Sequence, residues 1–343
     1  MGRFKLSLHV VFLLGGLILL GGCSSHRVEE VPLPMSRLLW PAAPQEAKIE
    51  WLKEYKILEE TTGRKGFWGK LGNFFLGPKT AHMTRPYGVC TDDHDQLFIA
   101  DTGASVIHQF DMRNSRYRLI EGTPDIPLMS PIGLVHVEGQ LYVTDSVQGA
   151  ILQYDLHREQ LSLWLTQGLV RPTGIAFSHF ANLIYVSDTA AHQVIAYSRL
   201  AGEQFRFGRR GTADGEFNFP TDLWVDDAGK VYVTDALNAR IQIFTATGEF
   251  LSAFGQPGDS IGSFAKPKGV VVDQHGHIYV CDALFDTVQI FNDRGQLLLN
   301  FGENGDLPGQ FWMPSGLFID SHSHIYVTDT YNRRIQVFKE LTQ

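Results

Sequence analysis

Cysteine is almost missing from this chain. Three occur in 343 residues, Cys23, Cys90 and Cys281, and none belongs to a C-x-x-C pair. That excludes a multi-bridge disulfide framework and a Cys-rich zinc site, so ordinary packing must hold the fold. Charge is sparse at 19% of residues, and no basic excess exists: the formal net charge is −8. Non-specific nucleic-acid binding across the whole surface is therefore disfavoured. Long apolar runs are lacking too. The run at 10–20 stops at 11 residues, short of the ~18 expected of a spanning helix. The thirteen histidines form no H-x-x-x-H pair. No Gly-rich phosphate loop or nucleophile–base pair stands out. What the chain does have is a 44% hydrophobic fraction, enough to build a core and to exclude wholesale disorder.

The N-terminus reads MGRFKLSLHVVFLLGGLILLGGC, a short basic start, an apolar run and a small-residue exit, which is the pattern of a secretory leader over 1–22. Its end, Leu20-Gly21-Gly22-Cys23, resembles the lipobox of bacterial lipoproteins, which implies cleavage before Cys23 and lipidation of that cysteine. Several acyl chains would anchor the protein firmly, at ~0.8 kcal/mol per buried CH₂. By the same resemblance, Ser24 after the cysteine points to the outer membrane of a Gram-negative cell envelope. Loss of Arg3 and Lys5 with the leader takes the net charge to −10, 27 basic against 37 acidic residues. Residues 23–47 hold Pro32, Pro34, Pro41 and Pro44 without helical or alternating periodicity, and read as the lipidated cysteine followed by a tether.

From there the chain repeats itself. VYVTDALNARIQIF (231–244) has close relatives at 278–291 and 325–338 and weaker ones at 97–110, 141–154 and 184–197. An aspartate recurs at Asp101, Asp145, Asp188, Asp235, Asp282 and Asp329, with an aromatic three residues before it and a β-branched residue two before. Ile or Val follows six residues later and another aromatic nine later. A proline precedes each aspartate, at Pro86, Pro131, Pro172, Pro220, Pro267 and Pro314, with spacings of 45, 41, 48, 47 and 47. A glycine stands two residues after every proline but the fourth, where Asp222 replaces it. Such periods belong to propellers and solenoids, and β-branched and aromatic enrichment argues for strands. Four strands fit each unit; in the fourth they fall near 223–225, 231–234, 240–244 and 250–254. Apolar runs such as IYV and IQIF suit sheets buried on both faces. The expected architecture over 48–343 is all-β: a six-bladed β-propeller of four-stranded antiparallel blades.

The sixth unit ends at 338–343 with no room for an outer strand. Residues 49–58, IEWLKEYKIL, are expected to supply it as an N-terminal "velcro" strand, pairing with 335–338 and closing the ring. Residues 59–84 are then an insert before the repeats at 86–343. Within it, 63–77 combine Arg64, Lys65 and Lys70 with Phe67, Trp68, Phe74 and Phe75, either capping the propeller or contacting membrane or partner.

The stretch 254–302, with FG-x-x-G, Pro-x-Gly, an Asp/Gly turn and IYV-x-D, resembles the NHL repeat. Units four to six match well; units one to three keep the aspartate frame but degrade the FG-x-x-G stretch. With the leader, the organisation looks like bacterial six-bladed NHL lipoproteins. WD40 is the competing propeller, but no Trp-Asp pair closes any unit. Because the repeats account for nearly every recurring residue, the expected function is that of a lipid-anchored, non-catalytic, monomeric binding scaffold that presents loop faces to an envelope protein or glycan, with no nucleic acid and no cofactor. The alternative is a metal-dependent, gluconolactonase-like hydrolase, in which related six-bladed enzymes hold a divalent cation in the channel with Glu, Asn and Asp. Here the residues between Pro and Gly (or Asp222), expected at the channel mouth, are Tyr87, Ile132, Thr173, Thr221, Lys268 and Ser315, a set without Glu or Asn.

Three groups remain as site candidates. The six aspartates end the second strand of each blade and should lie near one rim of the channel; a structural role, accepting backbone N–H groups in Asx-turns, explains why every unit has one. Arg209, Arg210, Arg240, Lys266, Lys268, Arg333 and Arg334 concentrate in loops of blades four to six on that same side, a docking patch for an acidic partner or a set of Asp–Arg pairs. On the opposite face, His94, His275, His277, His322 and His324 fall in turns of blades one, five and six, where transition-metal or pH-linked binding competes with simple solvation. Cys90 and Cys281, on non-adjacent blades, are expected to be buried free thiols.

Overall fold

The structure is a computed structural model describing residues 37–57, 82–200 and 202–341. The leader, Cys23 and the 63–77 insert lie outside the described residues.

Proline opens the first strand in five of the six units, where its missing N–H costs no ladder bond, and the recurring aspartate ends the second in all six. Blade one is β3 (Pro86–Thr91), β4 (Gln96–Asp101), β5 (Val106–Asp111) and β6 (Arg116–Glu121). Blade two is β7 (Pro131–Val137), β8 (Gln140–Asp145), β9 (Ala150–Asp155) and β10 (Gln160–Leu165). Blade three is β11 (Pro172–Ser178), β12 (Leu183–Asp188), β13 (Gln193–Ser198) and β14 (Gly202–Phe207). Blade four is β15 (Pro220–Val225), β16 (Val231–Asp235), β17 (Arg240–Phe244) and β18 (Phe250–Phe254). Blade five is β19 (Pro267–Val272), β20 (Ile278–Asp282), β21 (Thr287–Phe291) and β22 (Leu297–Phe301). Each is a four-stranded antiparallel meander.

The sixth sheet has five strands. From the axis outward they are β23 (Leu317–Ile319), β24 (His324–Asp329), β25 (Arg334–Glu340), then β2 (Ile49–Tyr55) and β1 (Leu39–Trp40) from the other end of the chain. β2 runs antiparallel to β25, with Trp51 opposite Phe338 and Tyr55 opposite Ile335. The folded part begins earlier than the expected tether boundary at residue 47. Leu39 pairs with Glu50, and the Trp40 ring packs on Phe338 and Phe301 at centroid distances of 5.7 and 6.1 Å. An aromatic with a ready apolar partner outweighs the coil preference of the prolines around it.

Six apolar clusters fill the six spaces between neighbouring blades. The last joins blade six to blade one through Tyr55, Val89, Leu97, Ile99, Phe110, Tyr326, Ile335 and Val337. The ring is thus continuous, and burial on both faces explains the unbroken apolar runs. Cys90 and Cys281 are buried free thiols in two different inter-blade clusters. Among the described residues, no helix is long and apolar enough to cross a membrane.

In blades four to six the FG-x-x-G loop is held by a glutamine in the third strand. Gln242 Nε2 donates to Glu216 O at 2.6 Å, Gln289 to Ser263 O at 3.0 Å and Gln336 to Gln310 O at 2.6 Å. The equivalent positions of the first three blades are His108, Leu152 and Ile195. The first three blades lack that amide, and with it one of the bonds that hold the loop in blades four to six.

Candidate functional site

The axis of the propeller is an open channel in two halves. Tyr87, Ile132, Thr173 and Thr221, each following the proline of its blade, line both. These residues form the waist of the channel, not its mouth. Ser315, expected among them, instead turns into the wall: it is buried, and its Oγ lies 2.7 Å from Thr330 Oγ1. The waist is narrow because the inner strands approach closely. A Cβ on Gly88 would lie 2.0 Å from Ile132 O, and one on Gly316 2.1 Å from Tyr87 O. Hydroxyls link the blades there, Thr173 Oγ1 donating to Thr221 O at 2.6 Å and Thr330 Oγ1 to Pro86 O at 2.9 Å.

The two halves carry opposite charge. The half on the side where the second strands end, about 450 Å³, is lined by Arg171, Lys266 and Lys268 with Thr189, Phe219 and Leu237, and among the described residues by no carboxylate. The other half, about 540 Å³, has apolar walls including Val135, Phe177, Trp224 and Phe318. Its carboxyl groups are Asp93, Glu138, Asp222, Asp226, Asp227, Asp273 and Asp320, and among the described residues no Lys or Arg lines it. The channel is basic at one end and acidic at the other.

Asp222 and Lys268 stand where the halves meet. Protein surrounds the Asp222 carboxyl while it opens on the channel. That burial pushes it up to about 7, against the opposing pull of the Leu223 and Val270 N–H groups and of Lys268. Burial also pulls the Lys268 ammonium down from its ordinary value. Lys268 Nζ sits 5.8 Å from the centroid of the Tyr87 ring.

The six aspartates do not reach the channel. All are 0% exposed, and none lines either half. Each accepts main-chain donors from the segment leading into its blade: Thr84 and Arg85 for Asp101, Met129 and Ser130 for Asp145, Val170 and Arg171 for Asp188. Asn218 N serves Asp235, Ala265 and Lys266 N serve Asp282, and Trp312 N serves Asp329. The carboxylates are separated and individually satisfied, so a rim of mutually repelling charge never forms. For Asp101, burial pushes the carboxyl up, but His108 and the Thr84, Arg85 and Ala104 N–H groups outweigh it and hold it near about 2.

The basic set divides. Arg240 and Arg334 are not docking residues: their side chains are 13% and 3% exposed and are spent inside the blades. Arg240 Nε donates to Asp235 Oδ2 and Arg334 Nε to Asp329 Oδ2, both at 2.8 Å. The buried aspartates draw them in, because a desolvated carboxylate needs a partner. Arg209 is exposed and pairs with Glu216 at 2.9 Å, while Arg210, Lys266 and Arg333 are exposed and Lys268 is partly buried. Arg171, which sequence reading passed over, joins the basic mouth because the pre-proline position of blade three points there. Around it stand exposed apolar side chains from the same loops, Met129, Val147, Val170, Leu237, Leu284, Trp312 and Tyr331.

The histidines stay in separate turns. His277 lies against Asp273, His324 against Asp320, and His94 N donates to Asp92. The His275 ring centroid is 6.0 Å from that of His277, with Glu340 also nearby, and the His322 centroid is 6.1 Å from that of His324. Asp273 and Glu340, the acids nearest His277, were not singled out in the sequence.

Fold and channel together define a six-bladed β-propeller. Two of its repeats match the NHL repeat: that family covers residues 217–244 and 311–338, in blades four and six. No curated protein matches the chain in sequence. Solved structures share the fold at low identity. An auxiliary nutrient binding protein from Bacteroides thetaiotaomicron is 13% identical over 75% of this chain and 69% of its own, with a TM-score of 0.61. Virginiamycin B lyase from Staphylococcus aureus is 12% identical over 76% of this chain and 97% of its own, at 0.58. A chain of a nidogen/laminin complex is 18% identical over 72% and 89%, at 0.52. Binding proteins and an enzyme alike use this scaffold, so chemistry must be argued from the channel and its mouths.

Proposed function

We propose that the protein is a non-catalytic binding propeller, held to the cell envelope through a lipid on Cys23, that receives an acidic protein or glycan on the loop face around its basic mouth. The observation that carries this reading is the charge of that basin, where Arg171, Lys266 and Lys268 converge with no carboxylate among the described residues. A basic concavity lined partly by apolar side chains favours an anionic ligand with an apolar or sugar face, and exposed apolar side chains around it extend the contact area. The similarity to an auxiliary nutrient binding protein is in keeping with a binding role. The hydrolase reading needs several oxygen ligands meeting in the channel. Among the described residues, Asp222 is the carboxyl that stands at the waist, and the Lys268 ammonium beside it acts against a cation there.

The test is charge reversal at Arg171 and Lys266 in the full-length chain. Polyuronate and sulfated glycans are titrated in vitro, and proteins neighbouring the wild type in intact cells are captured by cross-linking. Affinity for one glycan class, or one cross-linked partner, should fall about tenfold or more in the double variant. Identical glycan affinities and an identical cross-link pattern would remove the basis of the proposal.

A further inference from the structure

On the acidic face, at the boundary between blades five and six, the chain gathers two acids and an imidazole. Asp273 sits in the turn between β19 and β20. Its Oδ1 accepts the N–H groups of His275 and His277 at 2.8 and 2.9 Å, which fixes the carboxylate. Its Oδ2 is left facing His277 Nδ1 at 2.8 Å and the Tyr279 hydroxyl at 3.2 Å. Glu340, the last residue of β25, comes from blade six and brings Oε1 to 3.6 Å from the same Nδ1. One ligand atom from each residue lies within 4.8 Å of the other two.

We propose that Asp273, His277 and Glu340 form a binding site for a borderline divalent cation such as Zn²⁺ or Mn²⁺, supplied by two neighbouring blades.

The independent sign of a ligand is Glu340 Oε2. Among the described residues that atom is sealed from solvent and has no donor on it, on a side chain 11% exposed whose carboxyl faces that of Asp273. A protonated His277 would place one positive charge between two carboxylates and still leave this oxygen unsatisfied. An ion bound at ~2.0–2.2 Å from each donor would serve all three residues. Tyr279 would then act behind the ligands, orienting Asp273 through its hydroxyl. One imidazole nitrogen with carboxylate oxygens favours Zn²⁺ or Mn²⁺ over Ca²⁺, which prefers a full oxygen shell, and over Cu⁺, which prefers sulfur.

The repeat supplies its own control. Blade six carries the same turn, with His324 Nδ1 at 2.9 Å and Tyr326 Oη at 3.2 Å from Asp320 Oδ2. There the neighbouring blade contributes Met112 where blade six contributes Glu340, and the Tyr326 hydroxyl points at its sulfur, 3.9 Å away. The third ligand is missing from that copy.

Isothermal titration of the full chain with ZnCl₂, MnCl₂ and CaCl₂, followed by metal analysis after dialysis, tests the site. One Zn²⁺ or Mn²⁺ should bind per chain. His277→Ala and Glu340→Gln should each weaken it about 100-fold, and His324→Ala should leave it unchanged. His277 is half-exposed, so its variant carries the test should Glu340→Gln not fold. The proposal is overturned if neither ion binds, if wild type and His277→Ala bind equally, if Ca²⁺ binds more tightly than both, or if His324→Ala loses binding to the same degree.

Discussion

Arg334 Nη1 donates to Glu54 Oε2 at 2.6 Å, an ion pair between residues 280 apart in sequence and almost completely buried at both ends. It fastens β2 to β25. The same guanidinium reaches Asp329 through Nε and the carbonyls of Leu307 and Gln310 through Nη2. One side chain therefore ties the N-terminal strand, the blade-six aspartate and the FG-x-x-G loop together. Beside it, Trp51 Nε1 donates to Gln336 Oε1 at 2.8 Å.

The first prediction concerns this seam. Glu54→Ala leaves Arg334 desolvated with part of its charge uncompensated and should cost about 3 kcal/mol. Deleting residues 48–58 removes the fourth strand of blade six and should lower the stability of the entire domain in a single cooperative transition, because every blade is packed between two others. Thermal unfolding of both variants checks this. A melting temperature shifted by under about 2 °C on deletion would mean that the ring does not depend on the joint.

A second prediction follows from Asp222. Its folded carboxyl titrates at about 7, far above an ordinary aspartate, so the folded state holds a proton that the unfolded state has released. The associated stability is fully present below pH ~4 and is lost as pH rises towards 7. Asp222→Asn should therefore be more stable than wild type at pH 8 and lose that advantage on acidification to pH 4. The full shift converts to ~4 kcal/mol, but the carboxyl opens on the channel, so about 2 kcal/mol is expected. Denaturant unfolding of both proteins at pH 4, 6 and 8 measures the difference, and parallel pH profiles would show that Asp222 ionises normally.

The repeat frame was legible because each of its positions answers a local need. The aspartates are recognisable as turn acceptors from spacing alone, and the fourth blade's strands lie within three residues of where the sequence puts them. Other features depend on what comes from a second repeat. Arg240 and Arg334 look like surface charge until the buried Asp235 and Asp329 are placed beside them. Glu340 reads as one charge in a fraying C-terminus, and only ring closure sets it against His277 of the preceding blade. The polarity of the channel was hidden for the same reason: Arg171, Lys266 and Lys268 are scattered over two units and converge only at the axis. Trp40 was missed because four prolines around it dominate the local pattern, while its partners Phe301 and Phe338 lie some 260 residues or more away.

The third prediction tests the waist itself. Gly316 has no positive φ, so its backbone would accept alanine; the obstacle is space. An added Cβ would lie 2.1 Å from Tyr87 O and 3.1 Å from Thr328 Oγ1. The nearer atom is main chain of blade one, which cannot rotate away as a side chain could. Blades six and one would have to separate at the point where Thr330 Oγ1 also donates to Pro86 O. Gly316→Ala should then cost about 2–3 kcal/mol. Asp222→Gly is the counterpart, since it restores at the fourth blade the glycine used by the other five and removes a buried carboxyl, and it should be tolerated or stabilising at pH 8. Urea unfolding with an unchanged slope separates the two variants by their midpoints. A Gly316→Ala midpoint equal to wild type would mean that the inner strands are not in contact across the seam, and the narrow waist with its division of charge would go with it.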